Sequence, residues 1–114
     1  PYTDLLPYLQ NESFVIETQQ QIIKDFAKFN LYLPDRFNQL PHSQDEIVYQ
    51  INVLLNDFLP QGERRLLQLI YTIDIPEKEF LQLTRRENFM IELSHKILYR
   101  EAMKVFLRNH FSKS

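Results

Sequence analysis

Cysteine is absent from this chain, and glycine occurs only once, as Gly62. Without cysteine there is no disulfide framework, no thiol nucleophile and no cysteine-ligated zinc. The shortage of glycine is equally restrictive, because sandwiches, barrels and phosphate-cradling loops need backbone at positive φ, which glycine adopts with least strain. An all-helical chain can manage with almost none. No apolar run reaches the roughly 18 residues of a membrane span, and the opening PYTDLLPYLQ has no basic stretch followed by an apolar one. A cytoplasmic location is the resulting expectation, with no membrane among the partners. A Gly-rich phosphate loop, a G-x-S-x-G elbow and an H-E-x-x-H zinc motif are missing too.

What remains is an ordinary globular balance, with 44% hydrophobic and 25% charged residues over 114 positions. That length fits a single helical domain over residues 1–114, large enough to bury a core of its own. Apolar residues recur at helical spacing in four long stretches. The spacing predicts a first helix over residues 12–30, capped by Asn11 or Ser13, with Val15, Gln19, Ile22, Phe26 and Phe29 on one face and Glu17, Gln20, Gln21, Lys24 and Lys28 on the solvated face. Ser43 and Glu46 form a capping box that opens a second helix, which runs to about residue 59 and is ended by Pro60, Gln61 and Gly62. A third runs from Glu63 to near Asp74. Asp74 and Pro76 then suggest the start of a two-turn helix burying Phe80, Leu81 and Leu83.

The longest stretch, residues 84–110, has Thr84 and Glu87 at capping-box spacing and no Gly or Pro inside it. Its apolar face moves around the axis, from Phe89, Met90, Leu93 and Ile97 to Leu98, Ala102 and Val105. Such a helix must be covered on several sides. The expected fold is therefore all-α: a compact bundle of four main helices plus one or two short ones, with this long C-terminal helix at its centre. A short helix or turn in residues 3–9, capped by Thr3 or Asp4, is expected to pack Leu5, Leu6 and Leu9. The Pro-containing connector at residues 31–41 is expected to drape over the core.

Few residues point to chemistry. Glu92 and His95 have the E-x-x-H spacing of di-metal bundles, yet the second such motif and the two further helical glutamates are missing. Asp45 and Glu46 read as first-turn residues favoured by the helix dipole, Asp57 as a helix-end polar position and Asp74 as a cap. No catalytic set, metal or cofactor is expected.

Charge is unevenly spread. Residues 1–57 hold eight acidic and three basic side chains, whereas 58–114 hold seven acidic and ten basic ones. Lys96, Arg100, Lys104 and Arg108 follow one another at one-turn spacing. The row suits a nucleic-acid backbone, an acidic protein partner or, more plainly, open solvent. The net charge of −2 and pI near 5.9 argue against a general nucleic-acid binder. Nine Phe and six Tyr supply more aromatic surface than five short helices readily cover. Tyr99, Phe106 and Phe111 are the candidate apolar interface, for a homodimer or a partner helix, unless the connector with Tyr32 and Phe37 covers them. The sequence thus points to a non-catalytic interaction or regulatory module, of bacterial type. Nucleic-acid binding through the basic row comes next, and an enzyme with a bundle-core site last.

Overall fold

The computed structural model describes residues 5–111. Five helices follow in order: α1 (Glu12–Ala27), α2 (Gln44–Phe58), α3 (Glu63–Thr72), α4 (Glu77–Leu83) and α5 (Phe89–Phe111). Short 3₁₀ turns lie at Tyr8–Gln10, Asp35–Asn38 and Leu59–Gln61, and no strand occurs among the described residues. The all-α expectation holds. At 23 residues α5 is about 34 Å long, close to the 39 Å long axis of the molecule. It packs against α1, α2 and α4, so it is the post around which the bundle is built.

Two of the expected helix starts receive their N-cap bond. Asn11 accepts the Phe14 N–H at 3.1 Å and Ser43 Oγ accepts the Glu46 N–H at 3.1 Å, which fixes the starts of α1 and α2. Thr84 behaves differently. Its hydroxyl donates back to the Leu81 carbonyl at 2.7 Å, and its N–H bonds the Phe80 carbonyl. Thr84 therefore closes α4, where buried Phe80 and Leu83 pin the last turn, and α5 begins four residues later than a capping box at Thr84 predicts.

With a single glycine, the chain ends two helices on other residues. Asn30 (φ 59°) and Asp74 (φ 66°) both sit in the left-handed region. In each case the next amide reaches back five residues, Leu31 to the Phe26 carbonyl and Ile75 to the Ile70 carbonyl, both at 3.1 Å. The left-handed residues themselves bond Ala27 and Tyr71. These are Schellman endings, in which Asn and Asp stand in for the usual glycine. The accompanying apolar contacts are there as well, since Phe26, Leu31, Ile70 and Ile75 are all buried. Hence α1 stops at Ala27 rather than near residue 30, and Asp74 terminates α3 instead of capping α4. Gly62, at φ 102°, supplies the remaining positive-φ turn ahead of α3.

The core has two parts strung along α5. The larger gathers Ile22, Phe26, Ile51, Leu55, Phe58, Leu69, Ile70, Leu93 and Ile97 with the connector residues Leu31, Leu33 and Phe37. The smaller joins Leu5, Leu9 and Phe14 to Ala102 and Val105. Leu6, expected to pack, is 40% exposed, and Thr3 and Asp4 lie outside the described residues. One buried side chain fastens the connector. Gln19 donates to the Phe37 and Leu40 carbonyls at 2.7 and 2.8 Å and accepts the His42 N–H at 2.8 Å. The His42 ring stacks on Phe37, 3.8 Å between centroids.

Candidate functional site

The basic row on α5 stands only partly in solvent: Lys96, Arg100 and Lys104 are half-buried and Arg108 is exposed. Lys96 meets the Glu79 carboxylate of α4. Lys104 donates to Asp25 Oδ2 of α1 at 2.8 Å and to the Thr72 carbonyl at the end of α3 at 2.7 Å, and it lies 3.5 Å from Glu101 Oε1. Arg108 Nη1 donates to Gln21 Oε1 at 2.7 Å. Only Arg100 differs, with its Nε buried and without a hydrogen-bond partner. One-turn spacing thus aligns the cations along a seam where α1, α3 and α4 meet α5, and three of them tie those helices to it. Gln21, placed by its spacing on the solvated face of α1, is buried in this seam.

At the centre of the seam lie two carboxylates that are not among the residues singled out from the sequence. Asp25 is 2% exposed and Glu101 is fully buried. Asp25 is well supplied with donors: Lys104, Gln21 Nε2 at 3.2 Å and Lys28 at 3.5 Å. Burial alone would raise its carboxyl. The hydrogen bonds with Glu101 and Lys104, the Lys104 charge and the Gln21 amide outweigh that and hold it below the ordinary value. Glu101 goes the other way. Burial, then the hydrogen bond to Asp25 and the Asp25 charge, push it up to about 9 in spite of Lys104. For Lys104 itself, burial would lower the ammonium, but the Asp25 hydrogen bond and the charges of Glu101, Asp25 and Asp74 raise it. These shifts favour one carboxylate, one carboxylic acid and one ammonium at neutral pH, with both carboxyl groups buried and Lys104 reaching them from a partly exposed position. A sequence signal for it existed: Asp25 falls between Ile22 and Phe26, and Glu101 between Leu98 and Ala102, each a charge inside an apolar stripe.

Glu92 and His95 line a groove of about 440 Å³ between α4 and α5, with Glu79, Leu83, Lys96 and Tyr99. Glu92 Oε1 accepts from Arg86 at 3.0 Å. Among the described residues no three His, Asp or Glu side chains come together as metal ligands.

The candidate apolar interface is partly covered. Tyr99 and Phe106 are half-buried, packed against the small core of Leu5, Leu9 and Phe14 rather than under the connector. The Tyr99 hydroxyl lies 3.3 Å from Gln44 Oε1. Phe106 stacks on His110 at 4.0 Å and takes the Tyr8 ring edge-on at 5.0 Å. Phe111 remains 78% exposed, with Leu107 one turn before it at 45%. No helix among the described residues is long and apolar enough to cross a membrane. Comparison of the chain with protein-family models, curated proteins and solved structures gave no match.

Proposed function

We propose that the chain is a non-catalytic helical interaction module of the cytoplasm, which holds a partner protein at the C-terminal end of α5. The observation that carries this reading is the pair Leu107 and Phe111, exposed on one side of α5 beside the stacked Tyr8, Phe106 and His110 rings. The groups with the most altered chemistry, Asp25 and Glu101, are shut inside the bundle where no substrate reaches them.

Each aromatic ring contributes about 150–250 Å² at most, so this patch amounts to a few hundred Å². A stable dimer of standard size needs about 800 Å² per partner. The patch therefore suits a short apolar segment of another protein better than a second copy of the chain. Arg108 beside it is bound to a neutral amide, so its positive charge is not cancelled. The partner chemistry that fits is an apolar segment flanked by carboxylates.

The test is solution mass by light scattering at low and high salt, followed by capture from a lysate of the source cells with wild type and with Leu107→Glu/Phe111→Glu. A monomer at both salts, together with captured proteins that the variant loses, is the expected result. A salt-resistant dimer, or identical capture by the two proteins, overturns the reading.

A further inference from the structure

Counting donors around Glu101 shows what its burial demands. The Lys104 ammonium has three hydrogens. Two are committed to Asp25 Oδ2 at 2.8 Å and to the Thr72 carbonyl at 2.7 Å. Glu101 Oε1 lies 3.5 Å from the same nitrogen, too far for a good charge-assisted bond, and neither Glu101 oxygen receives a hydrogen bond. A fully buried carboxylate with no donor is among the most costly arrangements in a protein interior. A carboxylic acid at the same place brings its own proton, and Asp25, which flanks the same Lys104 nitrogen and whose negative charge the surrounding donors already stabilise, is the carboxylate placed to accept it.

We propose that Asp25 and Glu101 share one proton and so form a proton-dependent latch that fastens α1 to α5. The charged groups around the pair are Asp25 of α1, Lys28 just after it, Lys104 of α5 and Asp74 of the turn after α3; the end of α3 supplies the Thr72 carbonyl, and the α4 carboxylate at the seam, Glu79, is engaged by Lys96. The buried residues of α2 are all apolar. With the proton in place, one anion faces one cation and the seam is closed. Its loss leaves two buried anions flanking a single ammonium, an arrangement that burial and like-charge repulsion disfavour and that parting α1 from α5 relieves. What is freed is α1, which holds Phe14 over Ala102 and Val105 and, through Gln19, the connector.

The sign follows from proton linkage. Glu101 is protonated in the folded protein and ionised in the unfolded chain between the ordinary glutamate value and its own raised one. Folding in that window takes up a proton, and stability falls as pH rises. Lys104 acts only above its ordinary alkaline range, and Asp25 only at acid pH, so neither contributes to this slope.

The experiment is side-chain carboxyl carbon NMR of the full chain from pH 4 to 10, alongside denaturant unfolding of wild type and Glu101→Gln over the same range. Glu101 is expected to keep the chemical shift of a protonated acid at pH 7 while Asp25 shows that of a carboxylate. The folding equilibrium constant of wild type should fall by up to about tenfold per pH unit between about 5.5 and 8.5. Glu101→Gln, whose neutral amide can still donate to Asp25, should lose that slope. A Glu101 carbon that titrates in the ordinary glutamate range overturns the proposal, as does an unchanged slope in the variant. If Glu101→Gln does not fold, the wild-type titration alone decides.

Discussion

On one side, α5 meets α2, whose buried residues are Ile47, Val48, Ile51, Leu55 and Phe58; on the other it meets α1 through Gln21, Asp25, Glu101, Lys104 and Arg108. The first contact gains from the removal of apolar surface from water, a force without direction. The second gains only if donors and acceptors match within a few tenths of an ångström. Apolar burial can supply stability across both contacts. The hydrogen-bonded side is the one able to select a single rotation and height of α1 on the post, because a shift by one turn would bring Asp25 opposite Arg100 or Arg108 in place of Lys104.

Breaking that side at its centre should give the largest effect. Lys104→Met removes the cation that serves both carboxylates, and loss of one member of a buried ion pair costs about 3–5 kcal/mol. Denaturant unfolding at pH 7 measures it. The cost should largely vanish in an Asp25→Leu/Glu101→Leu background, where nothing buried is left unpaired, even as the backbone NMR spectrum of the triple variant shows more than one arrangement of α1. A single sharp set of resonances from the triple variant would mean that the seam selects nothing.

On the apolar side, Leu55→Ala should cost about 2–5 kcal/mol, depending on how far the site collapses. Leu55 is fully buried. No second substitution restores what is lost here, since a cavity has no partner to neutralise. The sharpened comparison is therefore one of rescue: polar losses can be undone by removing the partner, and apolar ones cannot.

Gln19 is a third kind of contact, a buried neutral side chain that binds three backbone groups in or next to the connector. Gln19→Leu leaves the buried Phe37 carbonyl and the His42 N–H without their partner and should cost about 1–3 kcal/mol. Amide exchange should accelerate at Phe37 and His42 and stay unchanged in α2. Faster exchange throughout the molecule would place Gln19 in the general core instead.

How far the sequence could be read follows the same division. The caps of α1 and α2, the stripe of α2 and the central place of α5 were all legible, because they depend on local spacing and on one face being apolar. The basic row was visible as a row, but its direction was not. Lys96 and Lys104 point at Glu79 and Asp25, 17 and 79 residues away in the chain, and helical periodicity carries no information about which helix comes to lie opposite. Spacing puts Gln21 on the solvated face for the same reason, although it is buried. Thr84 shows a local limit: its hydroxyl can serve the helix before it or the one after it, and the burial of Phe80 and Leu83 decided for the earlier one.

The smallest predicted effect compares the two Schellman endings. At Asn30 the left-handed conformation costs a side chain something that glycine avoids, and Asn30 contributes one exposed contact, its Oδ1 3.3 Å from the Tyr32 hydroxyl. Asn30→Gly should therefore stabilise the protein, by up to about 1 kcal/mol. Asp74 has the same backbone need, with φ 66° against 59°. Its charge, however, faces Lys104 and helps to raise that ammonium. Relief of backbone strain and loss of this attraction should nearly cancel in Asp74→Gly, leaving it less stable than Asn30→Gly at low salt. High salt should bring the two variants together, since a partly exposed charge interaction is screened and a backbone preference is not. Equal gains at low salt would show that the field of the polar seam stops short of the α3 terminus, and that α1 and α5 hold the proton without help from Asp74.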